Sequence, residues 1–315
     1  MTIYYKKAMK DKIPKEFELL NKLRDSTGYK ITQKINSFSL STYIFKQNYT
    51  QLISQINLQT KPENSKEIHS NENREKLRKV QFETLRFLHN FLASAQSLID
   101  HTRVFVNDIY NDNQLFKEEF SEKIQQTFIN DEVSVFIKDF RQFLQHFKMP
   151  SISTVTNLRI KGEKIERKVM ISVEDLNQFS GWKALSKKFI SKYKDKIDLS
   201  MVATEYFNIV NNFYNWFSER QELLHQDEFA EMENTRTEMI NIGIEESIKK
   251  FIKNKNITKE SFEISITQFM NEKEKNAFIK WNQDSKFQYI LSICRNKKIK
   301  LHQKEILIFL KRYRR

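Results

Sequence analysis

"LRFLHNFLASAQSLIDHTRVFVNDIY", residues 85–110, sets Leu85, Leu88, Leu92, Ala95, Ile99, Thr102, Val106 and Ile109 at alternating steps of three and four. That spacing lays one apolar seam along a long helix. Composition agrees with it. Four glycines (Gly28, Gly162, Gly181, Gly243) and three prolines (Pro14, Pro62, Pro150) punctuate 315 residues, whereas strand-rich folds need frequent turns that draw on those residues. The expectation is an all-α protein of mainly long antiparallel helices. Its length suits two modest domains or one extended helical body, at roughly 100–200 residues per domain.

Downstream of the seam a second helix is expected at about 114–129, and Asp131 stands where an N-cap would start a third. Val133, Phe136, Phe140, Leu144 and Phe147 would form its buried face, and Pro150 ends it. Because proline disfavours helical geometry in its predecessor, the chain turns near Lys148–Met149 and leaves His146 at the helix mouth. Residues 152–173 change period: "VMISV" alternates, and "KGEK" supplies a turn, so one small β-hairpin insertion is expected. Helical spacing resumes in "GWKALSKKFISKY" and across 198–224, through Val202, Tyr206, Ile209, Phe213 and Trp216. The acidic stretch "QDEFAEMENTRTEM" then separates this body from the C-terminal region. The resulting division is N-terminal helices at 1–56, a flexible polar loop at 57–76, a helical core at 77–150, the hairpin at 151–174, completing helices at 175–226, and a basic helical region at 240–315.

The net charge of +14 favours an anionic partner such as RNA, since clustered cations gain free energy by releasing condensed counterions. A lysine-, asparagine- and isoleucine-rich mix is also what an AT-rich genome imposes, so charge supports the inference without carrying it. Nine lysines and arginines stand against one acid, Glu305, between 295 and 315. In that tail Lys297, Lys298, Lys300, Lys311 and Arg312 are candidate RNA contacts, with Phe309 and Tyr313 available for stacking; a charged terminal helix fits the same spacing. Cys294 is the sole cysteine, which excludes an internal disulfide and a thiolate zinc cluster. The longest apolar run, "ILIFL" at 306–310, is far short of the roughly 20 residues that span a bilayer. A soluble, cytoplasmic protein with no membrane contact is expected.

Scattered glycines exclude P-loops and dinucleotide fingerprints. The six histidines show no paired helical spacing for zinc, and no cofactor or metal is expected. Glu166 and Lys168 form a Glu-x-Lys pair on a candidate strand; without a well-placed aspartate on an adjacent strand they read as a solvated hairpin face.

The remaining candidate lies in "FIKDFRQFLQHFKMP", residues 136–150, where Arg141 and His146 are five apart. At about 100° per residue they are about 140° apart around a regular helix. Gln142 and His146 share a face with Asp139, while Lys138, Arg141 and Gln145 form a neighbouring stripe. The bland reading pairs Arg141 with Asp139 or another helix and sets His146 against the helix dipole.

An Arg-x4-His helix ending before a proline turn, preceded by a long helix containing "SLIDHTRVFVNDIY", resembles the HEPN superfamily over about Phe82–Pro150. Many members of that superfamily are metal-independent ribonucleases of bacterial antiviral defence and toxin–antitoxin systems. The resemblance implies a HEPN-like helical bundle and a two-fold homodimer whose paired helices line one cleft. It also implies a possible antitoxin or other protein partner, and products with 2′,3′-cyclic phosphate ends. The family most often has asparagine after the arginine; here Gln142 takes that position. The residue types suit the chemistry: His146, with a reference pKa of about 6.5, can take and return a proton. Arg141 can contact the nonbridging oxygens of a phosphorane-like transition state. His101 and Arg103, on the long helix, are supporting candidates. Arg141, His146 and Gln142 are thus the catalytic candidates, supported by Asp139 and Lys138. Convergence of Arg141 and His146 requires unwinding near Pro150 or a second subunit. The competing expectation is a non-catalytic helical scaffold binding RNA or a protein partner, and a third is a neutralising partner of another toxin.

Overall fold

The computed structural model describes residues 15–61, 68–157, 166–295 and 299–314. In chain order its helices begin with α1 (Lys15–Asp25), α2 (Thr27–Thr60), α3 (Arg74–Ile109), α4 (Gln114–Ile124) and α5 (Glu132–His146). Strands β1 (Ile152–Asn157) and β2 (Glu166–Ser172) follow, then α6 (Val173–Asn177), α7 (Ala184–Ser191), β3 (Lys196–Asp198) and α8 (Leu199–Leu224). The chain closes with α9 (Gln226–Lys253), α10 (Lys259–Thr267), α11 (Glu272–Lys280), α12 (Gln283–Cys294) and α13 (Gln303–Tyr313). The fold is mostly helical with one small sheet, as expected from the scarcity of turn residues.

Two compact units form: residues 33–224 make one, and the described residues up to Thr32 with those from His225 onward make the other. The N-terminal segment expected as a single piece is therefore divided within α2.

In the 33–224 unit, α3 buries Leu88, Phe91, Leu92, Ala95, Leu98, Thr102, Phe105 and Val106, the expected seam widened to a stripe. Asp131 caps α5, its carboxylate accepting from the Ser134 N–H at 2.7 Å. Before it, residues 125–129 form a wider turn closed by the Asn130 N–H bonding Gln125 O. Helix α5 is the centre of the unit, packed by α3, α7 and α8. Being covered on several sides, it buries Val135, Ile137 and Phe143 besides the expected Val133, Phe136, Phe140 and Leu144. Phe147, expected in that face, is instead 47% exposed, because it follows the last helical residue, His146.

The expected hairpin gains a third strand. β1 and β2 pair antiparallel from Ile152↔Ile171 to Asn157↔Glu166, and β3 adds on the other edge of β2 through Met170↔Asp198 and Ile171↔Ile197. The "KGEK" turn lies outside the described residues. Val169, Ile171 and Ile197 are buried on the face that α8 covers. After α5 the chain is pinned by Asp175, which accepts from Lys148 Nζ and the Ser151 N–H, both at 2.6 Å. The Lys148 ammonium, with the Ser151 bonds, holds the Asp175 carboxyl well below the usual range, at about 2.

The units part at Leu224–His225, just before the acidic stretch, as expected, but the stretch itself is no linker. It lies inside the continuous helix α9, which packs along α1, with Lys15 Nζ 2.6 Å from Glu238. The loop expected at 57–76 is also shorter, since α2 runs to Thr60 and a 3-10 turn at Asn71–Asn73 leads into α3. A separate core of Ile244, Ile248, Phe251, Phe262, Ile266, Phe278, Ile290, Phe309 and Tyr313 closes the C-terminal helices. Burial pushes the Cys294 thiol up to about 11, so it is an ordinary core residue.

Candidate functional site

Helix α5 is regular through His146, so no unwinding brings Arg141 and His146 together within one chain. Arg141 is half-buried and lines a cavity of about 490 Å³. His146 is exposed and does not line it. Gln142 is likewise exposed. Asp139 leaves the face assigned to it: fully buried, its Oδ2 accepts from the Lys183 N–H at 2.9 Å and the Ser186 hydroxyl at 2.7 Å, fixing the start of α7. It therefore does not pair with Arg141, and its Oδ1 accepts nothing among the described residues.

The cavity lies among α3, α4 with its following turn, α5, the start of α7, and α8. Its floor is apolar and aromatic, with Leu92, Ala95, Val135, Ile137, Tyr206 and Tyr214 all buried. Tyr214 and Thr102 hydroxyls bond each other at 2.6 Å, and burial pushes both tyrosine phenols up, keeping them neutral. The charged lining residues, all exposed or half-buried, are basic: Arg103, Lys138, Arg141 and Lys183. No aspartate or glutamate is among the described lining residues.

The four cations differ in how they are held. Arg103 is 3.2 Å from Asp100 on its own helix. Lys138, Arg141 and the Lys183 ammonium make no ion pair or hydrogen bond among the described residues, and the Arg141 Nε is buried without an acceptor. A buried guanidinium nitrogen without a partner loses hydration for nothing, unless a ligand supplies the acceptor. The sequence marked Arg141, with Lys138 and Arg103 as supporting candidates, and all three line the cavity; only the tertiary structure adds Lys183 beside them. His101 is engaged elsewhere, its Nδ1 2.6 Å from Ser41 Oγ. His146 has no hydrogen-bond partner among the described residues.

The basic tail divides sharply from expectation. Phe309 and Tyr313 are both 0% exposed in the core, so neither can stack on a base. Arg312 donates from Nη2 to Asn254 O at 2.9 Å and Ile257 O at 2.8 Å, and lies over the Phe251 ring at 4.2 Å. It closes the end of α9 rather than facing solvent. Lys300 and Lys311 are exposed; Lys297 and Lys298 lie outside the described residues.

The expectation that no aspartate neighbours Lys168 is corrected. Asp198, on the adjacent strand β3, lies 3.4 Å from Lys168, with Glu166 at 3.5 Å. Asp198 is engaged as the cap of α8, accepting from the Ser200 and Met201 N–H groups at 3.0 and 3.2 Å. No group of three His, Cys, Asp or Glu side chains that could hold a metal ion occurs among the described residues, nor is any described helix long and apolar enough to cross a membrane. Comparison with protein-family models, curated proteins and solved structures finds no match to this chain.

Proposed function

We propose that the protein is a helical scaffold that holds RNA by its phosphates through Lys138, Arg141, Lys183 and Arg103. The single observation that carries this reading is the half-buried, partnerless Arg141 beside further cations with no lining carboxylate. An arginine can grip a phosphate with two parallel N–H donors. The excess of positive charge over the whole chain adds long-range attraction. Within one chain no histidine faces these cations, so holding RNA is favoured over cutting it. A role on RNA implies a cytoplasmic location.

A second reading, a HEPN-type metal-independent endoribonuclease, is favoured by one observation: His146 is exposed and partnerless at the end of the same helix. A two-fold pair of α5 helices would bring the His146 of one copy to the Arg141 of the other. As base, His146 would take the 2′-hydroxyl proton, and Arg141 would stabilise charge on the phosphorane oxygens. An antitoxin partner belongs to this reading alone.

The test incubates wild type and His146→Ala with total RNA and tRNA in EDTA, following both retention and product ends. Retention by both proteins without cleavage is the result expected of the scaffold. Cleavage by wild type alone, leaving 2′,3′-cyclic phosphate ends, would replace it with the enzyme. Absence of both retention and cleavage would remove RNA as the partner.

A further inference from the structure

The cavity behind Arg141 is larger and more apolar than contact with a phosphate backbone requires. At about 490 Å³ it falls within the roughly 300–1,000 Å³ of small-ligand pockets, which are typically apolar with a few convergent polar groups. Its floor presents the side chains of Leu92, Ala95, Val135 and Ile137 with two buried tyrosines. The Tyr206 hydroxyl makes no hydrogen bond among the described residues.

All charge at the cavity is positive, and it lies with the exposed lining residues. The first turn of α7, through Ala184 and Leu185, also lines this side, and a helix start adds partial positive charge. Asp139 takes up one N–H and one hydroxyl there. It leaves Arg141 untouched. An apolar chamber with a cationic mouth has the polarity of an amphiphile with an acidic head.

From this arrangement we infer that the cavity binds a small amphiphilic anion, an alkyl chain carrying one carboxylate or phosphate. The chain fills the space between α3, α5 and α8, and the head group accepts from Arg141, with Lys138 and Lys183 flanking it. Chain burial supplies affinity in proportion to the apolar area removed from water. Head-group recognition gives Arg141 the acceptor that the fold withholds. The inference stands on the cavity alone and does not require the RNA reading; because both use Arg141, ligand and RNA would exclude each other there.

The test titrates the full chain, without RNA, with decanoate, decyl phosphate and decanol below their aggregation concentrations, by calorimetry. The expected result is saturable one-to-one binding of an acid, at least tenfold tighter than decanol. Arg141→Gln should weaken the acid at least tenfold and leave decanol unchanged. Binding of only one acid supports the site and identifies its head group. Ala95→Phe, which fills the floor, should abolish binding of all three; if that variant fails to fold, the head-group series and Arg141→Gln still decide. No saturable binding of either acid, or equal affinity for acid and alcohol with Arg141→Gln unaffected, would overturn the inference.

Discussion

Arg141 and Arg312 are both half-buried, and each has one buried nitrogen without an acceptor, yet they do opposite things. Arg312 closes the end of α9 with two hydrogen bonds and covers Phe251. Arg141 makes no hydrogen bond or ion pair among the described residues and faces a cavity. Acids hold cations in both units: in the 33–224 unit Asp175 holds Lys148, and Glu132 holds Lys188 and Lys192. Around the C-terminal core cations are likewise engaged: Lys286 with Glu263, Lys249 with Glu245, Lys15 with Glu238. Around the α5 cavity, Lys138, Arg141 and Lys183 are not. Positive charge by itself therefore does not mark a binding surface; positive charge without internal partners does.

The comparison breaks first, and hardest, at Glu263. It accepts from Lys286 at 2.7 Å and from the Tyr313 hydroxyl at 2.6 Å, and both members of the ion pair are nearly buried. Burial, with the Glu263 bond, keeps the Tyr313 phenol above its ordinary pKa. Glu263→Leu strands the Lys286 ammonium, so urea unfolding should show a loss of about 3–5 kcal/mol, largely restored by adding Lys286→Met. Failure of the second change to restore stability would mean that Glu263 acts by shape, not charge.

Next come the two arginines themselves. Arg312→Gln should cost about 1.5–3 kcal/mol, the range for hydrogen bonds to a charged group. Arg141→Gln should stay within about 0.5 kcal/mol, because no bond is lost. Equal costs in chemical denaturation would make Arg141 a structural residue and remove the contrast. Close packing in the C-terminal unit gives a further, smaller effect. A Cβ on Gly28 would come 2.3 Å from Glu228 O, so Gly28→Ala should lower stability by about 1–3 kcal/mol, read from the thermal midpoint.

A further effect is confined to acid. Asp175 has a folded pKa of about 2, against about 3.9 for an unperturbed aspartate. A depressed carboxyl supplies stability fully above the unfolded value, and that stability is lost as pH falls through the folded one. Wild type should thus lose this contribution between about pH 4 and 2, and Asp175→Asn should lack that part of the acid limb in a pH series of unfolding curves. An unchanged acid limb would show that Lys148 and Asp175 are not coupled in solution.

How much of this was legible in the sequence follows from how local each signal is. The α3 seam and the Asp131 cap are written in adjacent turns, and both are found where the spacing sets them. Strand β3 is three residues, too short for any alternation, and it forms only because β2 offers an edge; with it comes the Asp198 neighbour of Lys168. The acidic run marks a real boundary, since the units part just before it at Leu224–His225, but its charges suggested a solvated linker, whereas the run is helical in α9 and Lys15 of α1 engages Glu238. Phe309 and Tyr313 stand four apart on one face, which suits a core as well as a stacking platform, and only the packing of α13 decides between them. For the site, the sequence pointed to Arg141, Lys138 and Arg103 but not to Lys183, which comes from the start of α7. That Arg141 has no partner among the described residues is a tertiary fact with no sequence signature.

We propose that the cations at this mouth hold the phosphates of RNA. This is tested most directly by the salt dependence of single-stranded RNA binding to wild type and to a Lys138→Gln, Arg141→Gln, Lys183→Gln variant. Each phosphate contact contributes roughly 0.7 to the slope of log affinity against log salt. The variant, still folded, is expected to bind more weakly, with a slope shallower by about 2. An unchanged slope and affinity would contradict it.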